Sequence, residues 1–85
     1  MDNIPWSVSY LWHRILSRLE EKLGGVSVSC WFDQTEAVSL ENNRLVLKER
    51  SAFRRELISR RTLPYIQEAA KEEFNLDIEV VIREE

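Results

Sequence analysis

Apolar positions near the start of the chain repeat at spacings of three and four residues. The repeat comprises Val8, Trp12, Ile15, Leu16, Leu19 and Leu23. These positions fall on one face of a helix with 3.6 residues per turn. Ser7 or Ser9 is a candidate N-cap, and Gly24 can end the helix in a left-handed conformation. The pattern therefore predicts a first helix that follows a lead-in segment containing Trp6.

The segment after the glycine pair predicts a short second helix that closes one end of the core. Val28, Trp31 and Phe32 share a face at spacings of three and four, and Ser27 is the expected cap. We expect Trp31 to be buried against the first helix, because large aromatic side chains dominate the cores of small domains. Cys30 lies among apolar neighbours, so we expect a buried and unreactive thiol.

Two segments with period-two alternation follow, TEAVSL and RLVLK. Asn42 and Asn43 stand between them, and asparagine tolerates the positive φ angles of a tight hairpin turn. Strict alternation places Val38 and Leu40 on one face of the first strand, and the leucines of the second segment on its apolar face. The pattern predicts a β-hairpin.

A long helical pattern and a β-branched segment complete the chain. Ser51 can cap a helix over residues 52–74, and Pro64 lies where its apolar stripe changes direction. We expect a kinked helix there, or two helices that meet near Arg61 and Thr62. Residues 76–82, LDIEVVI, predict a final strand. The fold class is α+β, with a three-stranded sheet whose last strand we expect beside its first strand.

Length, charge and composition predict one soluble cytoplasmic domain. A chain of 85 residues supports a single modest core, which we assign to residues 11–82 after a lead-in of residues 1–10. No apolar run is long enough to span a membrane, and the N-terminus does not resemble a secretory signal. The single cysteine fits a reducing compartment. The net charge of −3 argues against a dedicated nucleic-acid binder.

Residues suited to catalysis are scarce. His13 is the only histidine, and its predicted place is a solvated flank of the first helix. The glycine pair is isolated, so it does not form a phosphate-binding loop. We therefore expect neither an enzyme nor a metal site, and no cofactor in this domain.

A group of basic residues crowds the end of the second strand and the helix after it. The group comprises Lys48, Arg50, Arg54, Arg55, Arg60 and Arg61. Such a group is either a solvated face or, with the ring of Phe53 beside it, a weak site for single-stranded DNA. Binding of single-stranded DNA by this group would be weak and steeply salt-dependent.

The ordered set of motifs resembles the N-terminal domain, domain I, of the bacterial replication initiator DnaA. The motifs are LWHRILSRLEEKL, a serine four residues before WF, EAVSLENNRLVL, SAF followed by RREL, and LDIEVVI. The resemblance implies a compact KH-like domain that associates with its own copies at the origin. It also implies recruitment of the replicative helicase and docking of initiation regulators. ATP would be bound only by an ATPase domain that is absent from these residues.

The resemblance also implies roles for individual residues. It assigns self-association to Leu11 and Trp12, and it assigns contact with the helicase or a regulator to Phe53. A second contact position falls on Ser27, where the family has an acidic residue. Periodicity places Trp12 in the core, whereas the resemblance implies an exposed ring. We expect Trp12 and Phe53 both to project from the body of the domain.

Two alternatives belong to other classes. One is a stand-alone regulator that mimics this domain, which the reading frame beyond Glu85 would distinguish from a fragment of an initiator. The other is a weak nucleic-acid-binding module of the KH type. That module clamps a nucleic-acid backbone with a G-x-x-G loop between two helices, and this sequence has no such loop.

Overall fold

Four helices and a three-stranded mixed sheet form between residues 7 and 84. These residues, apart from the side chains of Val26 and Ser27, are described by a computed structural model. In chain order the elements are α1 (Val8–Leu23), α2 (Gly25–Phe32), β1 (Glu36–Glu41), β2 (Arg44–Lys48), α3 (Ala52–Arg61), α4 (Leu63–Phe74) and β3 (Glu79–Arg83). The predicted α+β class is confirmed. Helix α1 begins inside the expected lead-in, and Trp6 lies outside the described residues.

Gly24 separates the first two helices. The Ser7 hydroxyl caps α1 by accepting from the Tyr10 amide at 3.1 Å, as predicted. The amide of Gly24 donates to the Glu20 carbonyl, and the Gly24 carbonyl accepts from the Val28 amide. Its φ of 95° favours glycine, but its ψ of 141° lies outside the predicted left-handed helical region. Helix α2 therefore starts directly after this residue, and the prediction that Ser27 caps α2 is wrong.

Strands β1 and β2 form the predicted hairpin. Asn42 and Asn43 have φ angles of 54° and 61°, as a two-residue turn with positive φ at both positions requires. The antiparallel register shifts between Ala37 and Ser39. Val38 is the extra residue of this bulge, so the prediction that Val38 and Leu40 share a face is wrong.

Strand β3 lies beside β2, and the expected position beside β1 is wrong. The two strands are parallel, with Leu45 opposite Val80 and Leu47 opposite Ile82. Helices α3 and α4 form the crossover that two parallel strands need, because a tight turn cannot join strands of the same direction. The pairing joins the apolar residues of β2 and β3 into one continuous inner face.

The long helical region is divided at Thr62. The Thr62 amide and hydroxyl both donate to the Ile58 carbonyl, the hydroxyl at 2.8 Å, and the side chain is buried. Pro64 occupies the first turn of α4, where its missing N–H costs no helical hydrogen bond. The prediction of two helices meeting near Arg61 and Thr62 is confirmed.

The core lies between the inner face of the sheet and the apolar sides of the helices. Its buried hydrophobic residues are Leu11, Trp12, Ile15, Leu19, Val28, Phe32, Leu45, Leu47, Ile58, Ile66, Ala69, Ala70 and Ile78. Trp31 is only partly buried, so α2 contributes Val28 and Phe32 as its inner residues. The expected burial of Trp31 is therefore met only in part.

Ion pairs hold α1 against α4. Glu73 accepts from Arg14 and Arg18 at 2.7 Å each, and Lys22 lies 3.2 Å from a carboxylate oxygen of Glu72. The Glu73 side chain is 11% exposed. Hydrogen bonds from Arg18 and Arg14 lower the pKa of Glu73 below its ordinary value, and the bond from Arg18 has the larger effect. Partial desolvation of the carboxylate acts in the opposite direction but does not cancel this lowering.

Candidate functional site

The connection from β2 to α3 is fixed by a buried carboxylate. The Glu49 side chain belongs to a residue that is 2% exposed, and it accepts from the Thr35 hydroxyl at 2.7 Å. Its other oxygen accepts from the Ser51 amide at 3.1 Å. The Glu49 amide donates to the Arg83 carbonyl at 2.8 Å, which extends the ladder between β2 and β3. These bonds set the position from which α3 begins.

Ser51 and Arg55 fix the first turn of α3. The Ser51 hydroxyl accepts from the Arg54 amide at 3.2 Å, which confirms the predicted cap. The Arg55 guanidinium donates to the carbonyls of Glu49 and Arg50 at 2.8 and 3.0 Å. Arg55 therefore holds the connection in place, and its guanidinium is already engaged by the protein itself.

Phe53 stands exposed on this fixed turn. It is 75% exposed, the largest value among the exposed large hydrophobic residues of the described chain. Within residues 7–84 its ring has no aromatic or cation–π partner. The prediction that Phe53 projects from the body is confirmed. Phe53 is therefore a candidate contact residue, because aromatic side chains recur among the residues that dominate binding energy.

A polar pocket of about 300 Å³ lies beside the same turn. It is lined by Gln34, Glu36, Lys48, Glu49, Arg50, Ser51 and Arg54. The lining combines the end of β2, the start of α3 and the segment that enters β1. Phe53 lies directly before Arg54 in the chain, so its backbone borders the pocket, although Phe53 is not part of the lining.

The basic group does not form one continuous row of unpaired cations. Lys48 pairs with Glu36 at 3.2 Å, and Arg60 pairs with Glu56 at 3.0 Å. Arg55 is bound to backbone carbonyls. Across the described residues, the side chains of Arg50, Arg54 and Arg61 have no ion-pair or hydrogen-bond partner. Arg50 and Arg54 line the pocket, whereas Arg61 lies at the other end of α3.

Trp12 lies inside the domain, so the prediction of an exposed ring is wrong. It is 3% exposed, and Leu11 beside it is buried as well. Trp12 lies on the apolar face of α1 together with the other buried residues of this helix. Its indole therefore points toward Phe32 of α2 and does not project beyond the end of α1. Its indole N–H is buried without a hydrogen-bond partner within the described residues. Neither Leu11 nor Trp12 presents a free surface in this fold.

Three further predicted residues lie on or near the first two helices. His13 is exposed on the flank of α1, as predicted. Cys30 is exposed, so its predicted burial is wrong: the inner residues of α2 are Val28 and Phe32, and Cys30 lies between them in the chain on another side of the helix. The Ser27 side chain lies outside the described residues, although its backbone belongs to α2.

The buried hydrogen bond between Thr35 and Glu49 was not predicted from the sequence. In the sequence, Glu49 is an acidic residue between two basic neighbours. The signal that identifies it is its spacing, because Glu49 continues the inward positions of Leu45 and Leu47 along β2. An acid at an inward position needs donors, which Thr35 and the Ser51 amide supply.

Residues 7–84 contain neither a candidate metal site nor a helix that could span a membrane. No group of three histidine, cysteine or acidic residues there could hold a metal ion. No helix there combines the length and apolar character needed to cross a bilayer.

The sequence of the domain matches a family model over most of its length. The match covers residues 9–72, from the first turn of α1 to the last turns of α4, and the model describes the DnaA N-terminal domain. That domain is a non-catalytic part of a replication initiator. The match spans more than half of the 85 residues. The chain therefore belongs to the DnaA N-terminal domain family.

Proposed function

We propose that this domain is a protein-interaction module of a bacterial chromosomal replication initiator. It recruits the replicative helicase and docks initiation regulators in the cytoplasm, and it binds no cofactor itself. The observation that carries the proposal is the exposed ring of Phe53 on a turn fixed by Ser51 and Glu49. Aromatic rings on rigid scaffolds provide contact area with few rotors to immobilise, which suits a binding hot spot.

The helicase contact is tested by replacing Phe53. Phe53→Ala should leave the free energy of unfolding within about 0.5 kcal/mol of wild type, because the ring is exposed. It should weaken binding to the helicase of the same organism by about 2 kcal/mol, which is roughly thirtyfold in Kd. Surface plasmon resonance with immobilised helicase measures the change.

Tyr65→Ala is the matched control for this experiment. Tyr65 is an aromatic residue of α4 that is 41% exposed. Its removal should leave helicase affinity unchanged. Equal losses in the two variants, or full affinity of Phe53→Ala, would remove Phe53 from the contact.

Self-association is the second part of the proposed function. Because Leu11 and Trp12 are buried, we propose that they act by holding the start of α1 in place, without touching the partner copy. Sedimentation equilibrium over a wide range of concentrations should show an apparent mass that rises above that of the monomer. A monomer mass at every concentration would contradict self-association of the isolated domain.

A weak single-stranded DNA site is a second candidate function, favoured by the unpaired side chains of Arg50, Arg54 and Arg61 in the described chain. Fluorescence anisotropy with a labelled thymidine oligonucleotide at low salt should show weak binding that disappears as salt increases. Absence of binding at high protein concentration would leave these arginines as solvated surface.

A further inference from the structure

The pocket beside Phe53 contains two cations that the domain does not neutralise. Of its three basic residues, Lys48 pairs with Glu36, while Arg50 and Arg54 have no acidic partner within residues 7–84. Guanidinium groups that line a concave site and have no acidic partner are suited to bidentate recognition of an oxyanion.

The acids in the pocket wall do not satisfy these two arginines. Both oxygens of Glu49 accept hydrogen bonds, from Thr35 and from the Ser51 amide. Glu36 is held by Lys48 at 3.2 Å. The three cations and two carboxylates of the lining leave one formal positive charge, which matches a ligand group with a single negative charge.

We propose that this pocket receives the carboxylate of an acidic side chain from the protein segment that covers Phe53. The inference rests on the proposed role of Phe53 and adds the chemistry of its partner. The partner segment carries an apolar residue for the ring and an aspartate or glutamate for Arg50 and Arg54. The ring provides contact area, and the guanidinium groups provide orientation and selectivity.

A carboxylate fits this corner better than a nucleic-acid backbone does. A single strand presents a row of phosphates and needs a row of free cations along its path. Here the next basic residues along α3 are engaged, because Arg55 binds carbonyl groups and Arg60 pairs with Glu56. The net charge of −3 also opposes a polyanion more than it opposes a ligand group with a single negative charge.

Blocked peptides provide a direct test that does not depend on the helicase. The ¹⁵N-labelled domain is titrated with acetyl-Leu-Glu-Leu-amide and, as the matched control, with acetyl-Leu-Gln-Leu-amide. The acidic peptide should shift the amide signals of Arg50, Ser51 and Arg54, and the neutral peptide should not. The double variant Arg50→Gln, Arg54→Gln should weaken acidic-peptide binding at least roughly tenfold, as expected for loss of charged hydrogen bonds.

Arg61→Gln is the control for general electrostatic attraction. Arg61 is exposed, lies on the same helix and does not line the pocket. This variant should bind the acidic peptide as wild type does. Equal shifts with the two peptides, or equal losses from Arg61→Gln and the double variant, would overturn the proposal. So would saturable shifts of the same amides with a thymidine oligonucleotide and none with the acidic peptide.

Helicase binding separates failure of this inference from failure of the proposed function. If Phe53→Ala loses affinity and the double variant keeps it, the Phe53 contact stands and the carboxylate pocket is refuted. If neither variant changes helicase binding, the Phe53 contact fails, and the peptide titration still decides the chemistry of the pocket.

Discussion

The ring of Trp12 meets the ring of Phe32 edge to face, with centroids 5.5 Å apart and planes inclined by 81°. This geometry is favourable for aromatic pairs, because the positive edge of one ring faces the negative face of the other. The pair joins α1 to α2 inside the core. It makes Trp12 a residue of the interior.

Replacing Trp12 tests its place in the core. Trp12→Ala should lower the free energy of unfolding by about 3–5 kcal/mol, because it removes a buried ring and its contact with Phe32. Trp12→Phe should cost much less, since it keeps a ring and removes an indole N–H without a described partner. Urea unfolding measures both variants. An unchanged midpoint for Trp12→Ala would contradict the burial.

Trp31 and Phe32 should differ in their contribution to stability. Phe32→Ala should cost about 3–5 kcal/mol, because the side chain is buried. Trp31→Ala should cost less, roughly 1–2 kcal/mol, since its ring is only partly buried against the core. Thermal unfolding of the two variants under one condition ranks them. The reverse order would contradict the inward orientation of Phe32.

The ion pairs of Glu73 should make stability depend on acid pH. Its pKa is lower in the folded state, so its contribution is present above the ordinary value of 4.5 and is lost as pH falls through the lowered folded value. Glu73→Gln should therefore lower the Tm at pH 7, and the gap to wild type should narrow below pH 4.5.

Glu20→Gln is the control for the acid titration. Glu20 is exposed on α1, and its side chain makes no ion pair within the described residues. It should leave the Tm nearly unchanged at both pH values. A gap between Glu73→Gln and wild type that stays constant from neutral to acid pH would show that the Glu73 carboxylate is not the titrating group.

The hairpin turn should discriminate between residues that do and do not accept positive φ. Asn43 has a φ of 61°. Asn43→Gly should leave stability unchanged or slightly raised, because glycine adopts this conformation freely. Asn43→Val should cost about 1–2 kcal/mol, since a side chain branched at Cβ clashes in the left-handed region. Equal midpoints for the two variants in urea would contradict the turn.

Local patterns predicted most of the elements because each signal acts over a few residues. The asparagine pair, the Ser7 and Ser51 caps and the break near Pro64 all depend on neighbouring backbone groups. The periodicity of α1 also placed Trp12 correctly in the core. The expectation of an exposed ring came from the family resemblance, and it was wrong because residue roles do not fix burial.

Features that depend on contacts between distant parts of the chain could not be predicted from local sequence patterns. The position of β3 beside β2 depends on how α3 and α4 cross the sheet, which no local pattern specifies. Arg55 hydrogen-bonds to backbone carbonyls, whereas Arg54 lines the pocket without a partner in the described chain. This difference depends on where the two guanidinium groups lie on the first turn of α3. The sequence therefore suggested one basic surface, whereas the fold places these basic residues in different environments.

The parallel pairing of β2 with β3 determines how far towards the C-terminus a folded fragment of this domain must extend. The family match ends at residue 72, before β3 begins at Glu79. A fragment ending there would leave the edge of β2 unpaired and would expose Leu45 and Leu47, which Val80 and Ile82 flank in the intact sheet. An open apolar edge promotes intermolecular strand pairing. Expression fragments should therefore retain the chain through Arg83, because shorter ones would be prone to aggregate.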